Sequence, residues 1–93
     1  MKLKKILRLT RTEKFRKSVL DLDQKTQEKL KKQLKILVSN PRSPSLKIKK
    51  IIGTRFIFEA RVNASYRFTF EYGEKNEIIL RVVGQHNAAL KKP

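Results

Sequence analysis

The fold is decided by one stretch in the second half of the chain, Arg55-Phe-Ile-Phe-Glu-Ala-Arg-Val-Asn-Ala-Ser-Tyr-Arg-Phe-Thr-Phe-Glu-Tyr72. Apolar and polar side chains alternate on both sides of a turn near Asn63-Ala64, and this period of two predicts two β-strands. One predicted face carries the apolar set Phe56, Phe58, Ala60, Val62, Tyr66, Phe68, Phe70 and Tyr72. The opposite face carries Glu59, Arg61, Arg67, Thr69 and Glu71.

The residues after this stretch predict one further strand. Gly73-Glu-Lys-Asn76 has the composition of a hairpin turn, and Glu77 to Gly84 is rich in Ile, Leu and Val. The remaining residues, 85–93, are too few to predict a stable element of their own.

The residues before it follow helical spacing. Thr10-Arg-Thr-Glu13 has the spacing of a capping box and predicts a helix start, and Asp23 predicts a second one. Asn40-Pro41 ends the second helix, because a residue before proline avoids the α region. We expect a strand over Lys4–Leu9 ahead of the helices and a loop over residues 40–53 after them.

These elements predict an α+β fold in the order β-α-α-β-β-β. The helical hairpin packs on one face of a mainly antiparallel, twisted sheet, and residues 1–93 form a single domain. Because two short helices cannot cover both faces of so small a sheet, we expect its second face to be open. Arg61 and Arg67 should lie close together there, since antiparallel pairing brings opposite residues within contact.

Positive charge dominates the composition. The chain has 24 Lys and Arg against 8 Asp and Glu, a formal net charge of +16. A charge of this size opposes compaction and favours a polyanionic partner, and nucleic acid is the natural candidate. The candidate phosphate-binding residues are Lys31 and Lys35 on the second helix, with Lys47, Lys49, Lys50 and Arg81 elsewhere.

Several classes of function find no support in the composition. The chain has no cysteine, which excludes disulfides, thiolate metal sites and a thiol nucleophile. No Gly-rich phosphate loop or dinucleotide fingerprint is present, and a single histidine is poor support for a metal site. We therefore expect no cofactor and no metal. The absence of a long apolar run and of a signal-peptide pattern predicts a cytoplasmic protein without a membrane partner.

His86 is the only histidine and lies two residues after Gly84, at the end of the last predicted strand. Histidine side chains exchange protons near neutral pH. His86 is therefore a candidate proton-transfer group.

Two segments, Phe58-Glu-Ala-Arg-Val-Asn-Ala-Ser-Tyr-Arg-Phe-Thr-Phe70 and Ile79-Leu-Arg-Val-Val-Gly-Gln-His86, together with the order of elements, resemble the RelE/ParE superfamily of type II toxins. The resemblance covers nearly the whole chain. It implies ribosome-dependent cleavage of messenger RNA, as in many members, or inhibition of DNA gyrase, as in others. It also implies a cognate acidic antitoxin that wraps the toxin.

Residue roles follow from the same resemblance. Arg67 matches the arginine that contacts the scissile phosphate, and Glu59 matches a base or charge stabiliser. His86 matches the residue that follows the last glycine. We expect Glu59 to take the proton of the 2′-hydroxyl, His86 to protonate the leaving oxygen, and Arg61 and Arg67 to hold the phosphate.

Two alternatives stay open. The RNA-cleaving members place a tyrosine near the C-terminus, and residues 85–93 have none. This departure keeps a ParE-like gyrase inhibitor in consideration. A basic RNA-binding protein without catalysis would use the same lysines electrostatically.

Overall fold

The computed structural model describes residues 8–93. Along the chain, one strand and two helices come first, and the other four strands and a short helix follow. The elements are β1 (Arg8–Arg11), α1 (Glu13–Leu20), α2 (Gln24–Ser39), a 3₁₀ turn (Pro44–Leu46), β2 (Lys49–Lys50), β3 (Phe58–Arg61), β4 (Tyr66–Tyr72), β5 (Glu77–Gln85) and α3 (His86–Lys91).

One five-stranded sheet carries the strands in the order β1-β5-β4-β3-β2. β1 runs parallel to β5, and the other neighbours are antiparallel. This confirms the predicted α+β fold with a mainly antiparallel sheet. A bulge leaves Arg81 without a partner on β4, since Thr69 pairs with Val82 and Phe70 with Leu80.

The core lies between one face of the sheet and the helices α1 and α2. Phe15 of α1 and Leu37 of α2 are fully buried, as are Phe68 and Phe70 of β4. The aromatic alternation of β4 is therefore a core pattern, as predicted, with Tyr72 half-exposed at the strand end. Phe58 stacks on Phe70 with ring centroids 5.8 Å apart, a distance at which aromatic pairs add stability.

The two helix starts come from two side-chain caps. Asp23 accepts a hydrogen bond from the Thr26 backbone N–H at 2.7 Å, as predicted. At α1 the capping residue is Thr12, which accepts from the Phe15 N–H. The prediction that placed Thr10 there was wrong, because Thr10 belongs to β1 and donates its hydroxyl to Glu77 on the neighbouring strand.

Three boundaries differ from the prediction. Strand β1 covers Arg8–Arg11, and residues 4–7 of the predicted strand lie outside the described residues. The predicted loop 40–53 contains the two-residue edge strand β2, and the predicted irregular tail contains α3. Tertiary contacts, which local sequence does not reveal, stabilise elements this short.

The second face of the sheet is only partly open, against expectation. Thr69 is fully buried although it alternates with the core residues Phe68 and Phe70, and Glu59 is also buried. Helix α3 packs against β4 and β5 and buries Ala89 outside the main core cluster. We conclude that α3 covers part of the face that was predicted to be open.

The Asp23 cap predicts a specific pH dependence of stability. Hydrogen bonding to Thr26 lowers the pKa of Asp23 below its ordinary value of 3.8. A lowered carboxyl pKa in the folded state stabilises the protein above the unfolded-state pKa, and this stabilisation is lost as pH falls through the folded-state value. Asp23→Asn keeps a capping side chain but removes the titration. Melting temperatures measured from pH 6 to pH 2.5 should therefore fall less steeply for Asp23→Asn than for the wild type. Parallel curves would contradict this assignment.

Candidate functional site

The candidate site is built on the pairing of β3 with β4. Arg61 lies directly opposite Arg67 in this antiparallel pair, and Glu59 lies opposite Thr69. Side chains of a strand alternate between faces, so all four share the second face of the sheet. Two guanidinium groups and one carboxylate are therefore brought together, as predicted.

Arg67 is held rigidly rather than extended into solvent. Its Nη1 donates to the backbone oxygens of Asn63, Ala64 and Tyr66 at 2.7, 3.2 and 3.0 Å. Its Nε lies 3.8 Å from Glu59 Oε1, and the two side chains are only 11% and 6% exposed. The expectation of a freely exposed Arg67 was wrong, because the strand-connecting turn folds its carbonyl groups around the guanidinium.

Asn63 builds the turn that holds Arg67. Its Oδ1 accepts hydrogen bonds from the backbone N–H groups of Ser65 and Tyr66 at 2.9 and 2.8 Å. This Asx-type turn aims the backbone oxygen of Asn63 at Arg67. Sequence reasoning used Asn63 only to mark a turn, although asparagine in such a position was a usable signal.

The charge in this cluster is not balanced. Burial, and next the positive charge of Arg61, lower the pKa of Arg67 below its ordinary value, while Glu59 acts in the opposite direction. Like charges directly opposite each other on neighbouring strands destabilise the pairing. One carboxylate against two guanidinium groups leaves a surplus positive charge, which a bound anion would offset.

Arg61 has hydrogen-bonding capacity to spare. Its Nε is buried and makes no hydrogen bond to any described residue. Its backbone oxygen accepts from Gln33 Nε2 of α2 at 2.8 Å, across the core. Gln33 is almost fully buried and ties the helical layer to β3. Sequence reasoning missed it, although a glutamine within the apolar stripe of α2 is an unusual residue.

His86 lies beside the same turn. Its backbone N–H donates to the Ser65 backbone oxygen at 2.9 Å. Its ring is exposed, and the ring Nδ1 lies 3.2 Å from Asn87 Oδ1. Gly84 pairs with Arg67, and a Cβ atom at Gly84 would meet nothing within 4 Å. The second face is therefore open at this point, between the arginine pair and the start of α3.

The predicted phosphate-binding residues are distributed unevenly. Lys49 of β2 pairs with Glu59 and is exposed on the same face, with Lys47 and Lys50 beside it. Lys31 and Lys35 are exposed on α2, which packs on the opposite face, so the structure does not bring them to the site.

Arg81 is occupied by other partners. Its guanidinium pairs with Glu71 and donates from Nε to the backbone oxygen of Pro93 at 2.9 Å. Arg81 is engaged in these contacts in this structure, and its role in phosphate binding stays a prediction.

Within residues 8–93, no group of three His, Asp or Glu side chains is placed to hold a metal ion. No helix in the same range is long and apolar enough to cross a membrane.

Comparison with solved structures identifies the fold. YafQ from E. coli strain BL21(DE3) superposes with a TM-score of 0.72 at 18% identity, over 86% of this chain and 93% of that chain. A chain of the archaeal RelE–RelB complex from Pyrococcus horikoshii OT3 gives 0.71 at 17%, over 90% and 99%. A chain of the intact E. coli RelBE toxin–antitoxin complex gives 0.65 at 24%, over 83% and 93%.

No protein-family model and no curated protein matches the sequence. The structural matches are nevertheless mutually consistent and cover most of the chain. The protein has the fold of the RelE, YafQ and YoeB toxins of the RelE/ParE superfamily.

The environment of the two arginines predicts different structural costs of removing them. Arg67→Ala deletes three hydrogen bonds from a charged donor and should lower the free energy of unfolding by about 1–3 kcal/mol. Arg61→Ala removes like-charge repulsion and no observed side-chain hydrogen bond, so it should change stability by less than about 1 kcal/mol. Urea unfolding of both variants measures the difference. An equal loss in the two variants would show that the carbonyl contacts of Arg67 contribute nothing.

Proposed function

We propose that this protein is the toxin of a type II toxin–antitoxin system and cleaves messenger RNA on the ribosome. The observation that carries this proposal is the arginine pair of β3 and β4, whose surplus positive charge faces an opening next to the only histidine. An RNA phosphate would supply the missing negative charge, and the net charge of +16 favours RNA at long range.

The proposed reaction is transesterification within the RNA strand. The 2′-hydroxyl oxygen attacks the adjacent phosphorus, the bond to the 5′-oxygen of the next nucleotide breaks, and a cyclic phosphate forms. A base takes the proton of the 2′-hydroxyl, and an acid gives one to the leaving 5′-oxygen. Since the nucleophile is the 2′-hydroxyl, DNA is not a substrate.

Arg61 and Arg67 are proposed to hold the phosphate. The Nε of Arg61 is buried and has no hydrogen-bond partner within residues 8–93, and Arg67 is already oriented by three carbonyl groups. Guanidinium groups suit phosphate because their N–H donors match its oxygens in pairs. Donors fixed before the reaction stabilise the charge of the transition state without reorganisation.

Glu59 and His86 are proposed to exchange the protons. The 3.8 Å separation of Glu59 from Arg67 exceeds hydrogen-bond length, so the carboxylate keeps lone pairs that can accept a proton. His86 is exposed, its backbone N–H is bonded to Ser65, and its Nδ1 lies beside the exposed Asn87 side chain, so the Nε2 edge of the ring can meet the leaving oxygen. The alternative role for Glu59 is to stabilise the charge of Arg67, which its burial and ion pair also support.

We further propose an acidic antitoxin as the protein partner. The P. horikoshii RelE and E. coli YafQ structures include complexes with RelB and DinJ. A strongly basic surface suits an acidic partner, and binding energy from that partner would offset the self-repulsion of the toxin.

The deciding measurement is cell-free translation with purified protein, followed by primer extension on the messenger RNA. Discrete cuts that require ribosomes are expected from the wild type. His86→Ala and Glu59→Gln should each slow cleavage by about 10²–10⁴-fold, the usual contribution of general acid–base groups. Arg61→Ala should slow it by about 10²–10³-fold while leaving the fold intact.

Lys31→Ala is the matched control, because Lys31 is exposed on the far side of the sheet. It should cleave at the wild-type rate. Intact RNA in the wild-type reaction would overturn the nuclease proposal, and inhibition of gyrase supercoiling by the same preparation would then assign the chain to the gyrase-inhibiting branch. Cleavage that survives Glu59→Gln but not His86→Ala would assign Glu59 to charge stabilisation.

A further inference from the structure

The loop between β2 and β3, residues 51–57, has an organised backbone. The Ile51 N–H donates to the Ile57 oxygen at 2.9 Å and closes the loop. The hydroxyl of Thr54 donates to the oxygens of Ile51 and Ile57 at 2.8 and 3.2 Å. Gly53 adopts a φ of 88°, a left-handed conformation that favours glycine. The conformation of this loop is therefore set by its own hydrogen bonds.

Two large apolar side chains project from this organised loop. Phe56 is 68% exposed and Ile52 is 99% exposed. Phe56 was predicted to lie in the core with Phe58, but β3 begins only at Phe58, and the loop turns Phe56 outward. An aromatic ring that is exposed to water on a rigid backbone does not stabilise the fold. The rigid backbone does, however, lower the entropy cost when the ring binds a flat partner.

The chain next to Phe56 is basic. Residues 47–58 contain no Asp or Glu and four basic residues: Lys47, Lys49, Lys50 and Arg55. Of these, Lys49 and Lys50 form β2 directly before the loop, and Arg55 lies within the loop. All three side chains are exposed. An aromatic ring among cations is the combination by which proteins bind single-stranded nucleic acid, with bases stacked on the ring and phosphates on the cations.

The loop leads directly into β3, which carries Arg61 of the candidate site. Lys49 of β2 pairs with Glu59 of β3, and β3 also carries Arg61 of the arginine pair. Phe56 lies two residues before β3 begins, and Arg61 lies three residues further along that strand, about 10 Å at 3.3–3.4 Å per residue. A few nucleotides of extended RNA would cover this distance, with Lys49 between the two points.

We propose that Phe56, with Lys49, Lys50 and Arg55, forms a second RNA subsite, in which an unpaired base stacks on the Phe56 ring and the flanking phosphates contact the three cations. The subsite holds the RNA strand a few nucleotides away from the cleaved phosphate. This inference rests on the proposed function insofar as RNA is the substrate, but it concerns binding and does not require cleavage.

The test is a direct binding measurement. Fluorescence anisotropy would follow a labelled single-stranded RNA of about 12 nucleotides, 2′-O-methylated so that it lacks the attacking hydroxyl and stays intact. Phe56→Ala should weaken binding by about 5- to 100-fold, the usual effect of removing one stacking platform. Phe56→Tyr should stay within about twofold of the wild type, because it keeps the aromatic face.

Two controls separate stacking from general effects. Phe56→Leu keeps an apolar side chain but no aromatic face, so it should bind as weakly as Phe56→Ala. Ile52→Ala removes a more exposed apolar side chain of the same loop and should bind like the wild type. Melting temperatures should be unchanged in all four variants, since neither side chain contributes to the core.

The salt dependence distinguishes the two kinds of contact. Lys49→Ala combined with Lys50→Ala should reduce the slope of log affinity against log salt by about 0.7 for each lost phosphate contact. Phe56→Ala should lower affinity at every salt concentration without changing the slope.

Wild-type affinity in Phe56→Ala would overturn the subsite, whether or not the wild type cleaves RNA in translation reactions. Loss of binding to a glutamate- and leucine-rich peptide, with RNA affinity unaffected, would also overturn it and assign the loop to an acidic protein partner. Weakened RNA binding by Phe56→Ala, together with a wild type that never cleaves messenger RNA, would retain the subsite and reject only the nuclease.

Discussion

The pairing of β3 with β4 is the constraint on which the other features depend. The Asn63 side chain accepts two backbone hydrogen bonds in the connecting turn, and this turn sets the register that places Arg61 opposite Arg67. The same register directs Phe68 and Phe70 into the core beneath α1 and α2. One turn therefore determines both the packing that stabilises the domain and the charge cluster that faces away from it, since a shift by one residue would exchange the two faces.

The cluster combines rigidity with unsatisfied charge. Three carbonyl groups orient Arg67, Gln33 anchors the backbone of Arg61 from the opposite layer, and Ser65 anchors the backbone of His86. Fixed donors with a surplus positive charge are costly in an isolated protein and useful for binding an anion. The proposed loop subsite follows the same principle, because Thr54 and Gly53 hold an exposed aromatic ring in place before any partner arrives.

Particular residues show how far sequence reasoning reached. The order of elements, the Asp23 cap, the core position of Phe68 and Phe70, and the proximity of Arg61 to Arg67 were predicted and are confirmed. The predicted cap at Thr10 and the core position of Phe56 were wrong. Thr10 and Thr12 offer the same local chemistry, and only the pairing of β1 with β5 assigns Thr10 to the strand. Alternation likewise does not reveal where a strand begins, and the closed loop removes Phe56 from β3.

The sequence by itself determined which side chains share a face, because the side-chain period of a strand is two whatever the strand packs against. It also determined the charge, which favours a polyanionic partner. Only the tertiary structure decided what covers each face: α3 packs against β4 and β5, Thr69 is fully buried, and the position of Gly84 stays open. It also decided that Arg81 pairs with Glu71 while Arg61 keeps an unpartnered Nε. These outcomes depend on contacts between residues far apart in the chain, which no local pattern encodes.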